Sequence, residues 1–115
     1  MKRGTLTKFS ELVVSVEILQ HEVSSSSELF KCRAKLKDGS NLRILEKYRH
    51  DELAYYSYYW LNDANELIIG WDRAPHHPHI KSFPHHKHLA GEKSPVASSQ
   101  RDLATVLAFI AKHLK

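Results

Sequence analysis

Phe30, Cys32, Ala34 and Leu36 alternate with Lys31, Arg33 and Lys35, and after a short break Leu42, Ile44, Glu46 and Tyr48 continue the alternation. A period of two describes a strand with one buried face. The intervening Lys37-Asp38-Gly39 is a turn, and parity decides which kind. A two-residue Asp-Gly loop would pair Leu36 with Asn41 and turn Leu42 and Ile44 onto the lysine face. A three-residue loop with Gly39 left-handed pairs Ala34 with Leu42 and Cys32 with Ile44, so the apolar faces stay together. A bulged three-residue hairpin is therefore predicted, with Lys31, Arg33, Lys35, Arg43 and Lys47 on its outer face. The same register sends Glu46 to the core side beside Phe30, where a carboxylate needs a partner. Either it caps the sheet edge in contact with water, or it points into a cleft and orients a histidine or arginine; the second is the expectation.

The remaining chain extends this sheet. Residues 5 to 12 suit a short helix, Val13 to Leu19 is a strand rich in β-branched residues, and Ser24 to Ser27 is a polar loop. Tyr55 to Leu61 and Glu66 to Asp72 form a second hairpin around Asn62 to Asn65. Residues 73 to 98 hold all four prolines and read as one long ordered loop. Ser99-Gln100-Arg101-Asp102 opens a helix whose Leu103, Val106, Leu107, Ile110 and Leu114 share one face, with Lys112 and His113 at its cationic end. The expected fold is α+β: a single domain over 1–115, an antiparallel meander of about four to five strands, and a C-terminal amphipathic helix packed on one face.

Composition narrows the function. Lys and Arg outnumber Asp and Glu by 17 to 13, a net charge of +4, which favours anionic partners such as nucleic acid or an acidic protein. No apolar run is long enough to span a membrane, and the single cysteine, Cys32, sits in the apolar alternation as a small hydrophobe. A cytoplasmic protein without membrane contact is expected.

Chemistry concentrates between residues 75 and 88, where Pro75-His76-His77-Pro78-His79 is followed by Pro84-His85-His86-Lys87-His88. Histidine exchanges protons near neutrality and is the commonest metal ligand. In extended chain His77 and His79 share one side, as do His86 and His88, while His76 and His85 face the other way. Three uses stay open. His77, His79, His86 and His88, with Asp72 or Glu92, could bind zinc or a similar divalent ion, although no cysteine ligand is at hand and no standard zinc spacing is matched. No cofactor is otherwise expected. Alternatively His77, His86 and His88 act as metal-free acids and bases, Glu46 or Asp72 orients them, and Arg73 or Lys87 meets a phosphate. That inventory suits cleavage of RNA through its own 2′-hydroxyl. Finally, the rings could simply pack on Trp71, Tyr58 and the prolines. Tyr58 is the tyrosine best placed to touch a substrate, and Asp72 and Trp71 lie where they could line it.

The strings Trp71-Asp72, Pro75-His76-His77-Pro78 and Phe83-Pro84-His85-His86-Lys87-His88 resemble the signature of the TumE-type toxin family. Asp38-Gly39-Ser40, Glu46 and Tyr56-Ser57-Tyr58 stand in the matching order upstream. The resemblance spans roughly residues 12 to 113, nearly the whole chain. It implies the toxin of a bacterial type II toxin–antitoxin system, held inactive by a cognate antitoxin with a helix-turn-helix. The ribonuclease reading, with RNA as substrate, rests instead on the residues above and on analogy with other small basic toxins; the alternative is a non-enzymatic module whose histidine segment and basic sheet face bind a protein partner. A homodimer is left open. The sequence departs from the family pattern at Arg73, where asparagine is more familiar, and at His79, where an acidic residue is common.

Overall fold

The computed structural model describes residues 3–73 and 78–114. A short helix α1 (Arg3–Lys8) leads into six strands: β1 (Val13–Val23), β2 (Ser27–Leu36), β3 (Asn41–Arg49), β4 (Glu52–Leu61), β5 (Leu67–Arg73) and β6 (His85–Leu89). Helix α2 (Leu103–His113) closes the chain. The strands form one antiparallel sheet in sequence order, a plain meander. The α+β class stands, with more strands than the alternation alone revealed.

The β2–β3 hairpin has the register that parity requires. Ala34 pairs with Leu42 and Cys32 with Ile44. Leu36 N–H donates to the Ser40 carbonyl at 2.8 Å around the three-residue loop, and Gly39 takes φ 90°, where an L side chain is disfavoured. Lys31, Arg33, Lys35, Arg43 and Lys47 are all exposed on the outer face. Between β3 and β4 the chain reverses in two residues, His50 and Asp51, both left-handed, as a type I′ turn demands. The next turn is stitched by the Asn62 side chain, whose Oδ1 accepts from the amides of Ala64 and Glu66 at 2.9 Å each.

The stretch expected as one long loop contains β6, which pairs along β5 from Ile69↔Leu89 to Arg73↔His85. The cause lies in the neighbour rather than in local propensity. Trp71 and Asp72 of β5 are buried, so a bare outer edge there would leave peptide groups without partners. The far edge of β6 is met in turn by an isolated bridge between Lys87 and Val96.

Helix α2 lies on one face. Asp102 is its N-cap, with Thr105 completing the reciprocal capping box, and Leu103, Val106, Leu107 and Ile110 are its buried stripe. They close over Phe30, Cys32, Ala34, Leu42, Ile44, Tyr56, Tyr58 and Trp71, each 1% exposed or less. The Trp71 and Phe109 rings meet edge to face at 5.6 Å. The helix therefore divides the sheet into a covered face and an outer face, and the site residues carried by β3 to β6 belong to one or the other.

Candidate active site

Strand pairing sets Asp72 of β5 directly beside His86 of β6, with Gly70 and His88 as the next pair on the same, outer face. There Asp72 is a hub. Tyr59 donates its hydroxyl to Asp72 Oδ2 at 3.0 Å, and the Nε2 atoms of His88 and His86 stand 3.3 and 3.8 Å from the same oxygen. The two imidazoles meet edge to face with centroids 5.0 Å apart. Side-chain exposure grades outwards, from 4% for His86 and 11% for Asp72 to 33% for His88. His88 is thus the ring that solvent and a ligand reach. Asp72 holds its Nε2, which leaves Nδ1 for an incoming group.

Tyr59 reaches Asp72 because residue 70 lacks a side chain. A Cβ there would lie 2.9 Å from two carbons of the Tyr59 ring, so the ring lies flat across the glycine. Burial, followed by the charge of Asp72 and their hydrogen bond, pushes the Tyr59 hydroxyl up to about 12, so it stays a donor at neutral pH. Asp72, His86 and His88 each offer a ligand atom within 4.8 Å of the others, a two-histidine, one-carboxylate set able to hold a divalent metal.

Other predicted site residues lie across the sheet. Glu46 is buried beside Phe30 as its register requires, yet no histidine among the described residues meets it. It accepts from Tyr58 at 2.5 Å and from Tyr48 at 3.3 Å. Burial raises its proton affinity, against the opposing pull of the Tyr58 hydrogen bond. Burial likewise drives the Tyr58 hydroxyl far upward, with the Glu46 charge behind it, so this tyrosine is a structural donor on the helix side. Trp71 is fully buried and gives its indole N–H to Gln100 at 3.1 Å. Arg73 bonds the Ala54 carbonyl, and the Lys87 ammonium stands 5.7 Å from the Phe109 ring centroid. Both sit on the helix side because residues 73, 85 and 87 alternate against 72, 86 and 88. His85 shares that side, its Nδ1 2.8 Å from the Tyr56 hydroxyl. Burial lowers its proton affinity, with the positive charges of Arg101 and Arg73 adding to the effect.

Of the four imidazoles proposed as metal ligands, His86 and His88 converge with Asp72. His79 lies on an exposed turn and is not in that cluster, Glu92 is exposed elsewhere, and His77 falls outside the described residues. Two members escaped the sequence reading, Tyr59 and Gly70. Their signal was a lone glycine in a strand facing an aromatic one.

Comparison with protein families adds one finding, that the family model described as Toxin TumE matches residues 3–114. The chain belongs to the TumE toxin family. No curated protein and no solved structure matches. In this TumE-family toxin the HHKH run lies in strand β6, and its alternate histidines, His86 and His88, supply the outer-face cluster. No helix among the described residues is long and apolar enough to cross a membrane.

Proposed function

We propose that this TumE-family chain is the toxin of a toxin–antitoxin pair, restrained by a cognate antitoxin protein, and that it cleaves RNA at the Asp72–His86–His88 centre. One observation carries the reading: a partly exposed imidazole, His88, is held through one nitrogen by a buried carboxylate that is itself fixed by a tyrosine. That arrangement is how a general base is oriented and its cation stabilised. His88 takes the proton of a ribose 2′-hydroxyl as that oxygen attacks the adjacent phosphorus. Asp72 stabilises the imidazolium while the 5′-oxygen departs and a cyclic phosphate forms. His88 then gives that proton to the leaving 5′-oxygen, which departs as a hydroxyl. His86, enclosed behind His88, positions the pair.

The outer face supplies a path for the substrate. In one cross-strand row Arg33, Arg43, Tyr59, Gly70 and His88 follow each other across five strands. A groove of about 280 Å³ beside them is lined by Lys31, Arg33, Arg43, Leu45, Ser57 and Tyr59. Cations along the rim and a ring at the end nearest the site suit an unpaired strand, whose phosphates seek charge and whose bases stack.

Purified, antitoxin-free protein should cut single-stranded RNA and leave the 2′-deoxy analogue intact. His88→Ala should slow cleavage by roughly 10²- to 10⁴-fold, the usual worth of a positioned acid–base group. If the wild-type protein leaves RNA uncut with and without added divalent metal, the ribonuclease reading fails.

A second reading uses the same three residues, since their ligand atoms lie within metal-sharing distance. A divalent ion held by Asp72, His86 and His88 would supply Lewis acidity. It predicts close to one equivalent of metal in untagged protein and an activity that chelation removes and added ion restores. The metal-free mechanism predicts that chelation changes nothing.

A further inference from the structure

Helix α2 begins close to β6, and the gap between them is a second concavity. The backbone of Lys87 exchanges hydrogen bonds with Val96 at 2.9 and 2.8 Å, which draws residues 96 to 101 alongside the strand. Ser98 N–H donates to Ser82 Oγ at 3.0 Å, Ser82 Oγ donates to the His85 carbonyl, and Ser98 Oγ donates to the Gln100 carbonyl at 3.0 Å. These bonds pin both walls. Between them lies an open, shallow concavity of about 420 Å³ whose lining includes Lys81, Lys87, Arg101, Ser82, Ser98 and Ser99, and no acidic residue.

We propose that Lys81, Lys87 and Arg101 form an anion site that takes a phosphate group, separate from the histidine cluster and on the other face of the sheet. Among the described residues none of the three has a carboxylate partner. The nearest acid in sequence, Asp102, does not line the concavity and caps the helix, its Oδ1 accepting from the Thr105 amide at 2.9 Å and the Thr105 hydroxyl at 2.8 Å. Lys87 is half-buried, and a cation–π contact with Phe109 replaces only part of the hydration it gives up. Three like charges around one concavity repel each other, and an anion between them removes that repulsion. Lysine ammonium groups and a guanidinium fork are the side chains that match phosphate oxygens. Ser99, exposed on the rim, offers a further hydroxyl.

The phosphate can come from an RNA backbone passing round the β6 edge or from a small phosphorylated molecule, and the experiment separates the two. Inorganic phosphate is titrated into the full-length protein while amide resonances are followed. Shifts should concentrate at residues 81, 87, 99 and 101. Lys87→Gln and, separately, the exposed Arg101→Gln should weaken phosphate binding by roughly tenfold each, as expected for a charge-assisted hydrogen bond, with spectra showing an intact fold. A non-cleavable single-stranded RNA is then bound to the same variants. Weakened RNA binding identifies the backbone as the source, and unchanged RNA binding identifies a small phosphorylated ligand. No phosphate-dependent shifts at these residues, or shifts that persist in both variants, overturn the site. The assay needs no turnover, so uncut RNA with phosphate still bound removes only the ribonuclease reading, and intact cleavage without phosphate binding removes only this one.

Discussion

Burying Glu46 between Phe30 and Tyr56 strips its carboxylate of water, and the hydroxyls of Tyr58 and Tyr48 restore only part of that loss. Its proton affinity is raised, by burial foremost. The folded state therefore holds this proton to a higher pH than the unfolded chain does. The stability it contributes is present below the ordinary carboxylate pKa and is lost as pH rises through the raised folded value. Glu46→Gln has no such proton to lose. The difference in unfolding free energy between variant and wild type should move in favour of glutamine as pH climbs from acid to neutral, measured by urea denaturation across that range. A gap that does not change with pH would show the carboxylate to be solvated. Glu46 was legible because one turn fixed the parity of two strands. Tyr59 was not, because Tyr55, Tyr56, Tyr58 and Tyr59 occupy both faces of β4 with the same side chain. Only the partner across the strand, Gly70, separates the one that touches Asp72 from the rest.

At the scale of elements, the β2–β3 hairpin and β6 stand at opposite ends of what a sequence reveals. The hairpin was readable in full because its alternation and its turn agree. Strand β6 was not, because histidine and proline carry little strand preference and the instruction to extend comes from the open edge of β5. The hairpin also offers a clean measurement. Gly39 sits at φ 90°, and a Cβ added there would meet nothing closer than 4.0 Å. Gly39→Ala should therefore cost about 1 kcal/mol through backbone strain alone, with the register unchanged. Urea unfolding reports the loss, and amide spectra report whether Ala34 still faces Leu42. A much larger loss would mean that the loop had changed type and turned the apolar residues of β3 outward.

The whole molecule is a sheet with one face given to a core and the other to solvent. Because α2 covers a single face, the outer one is free to carry five cations of the first hairpin together with Tyr59, Asp72, His86 and His88. Neighbouring strands lie about 4.8 Å apart, so the row from Arg33 through Arg43 and Tyr59 to His88 spans several such steps, a length that fits a few nucleotides rather than one. An anionic strand laid along it would release counterions, and its affinity would fall with salt. For single strands each neutralised phosphate contributes a slope of roughly −0.7 in the logarithmic plot. Replacing Arg33 and Arg43 together by glutamine should therefore make the slope shallower by about 1.4, one phosphate lost per arginine. The measurement is the anisotropy of a labelled single-stranded RNA bound to the His88→Ala protein over a range of salt concentrations, which keeps the RNA whole. Should the double variant bind with the same salt dependence as its parent, the strand does not cross these arginines, and a substrate for the histidine cluster must arrive from the β6 edge instead.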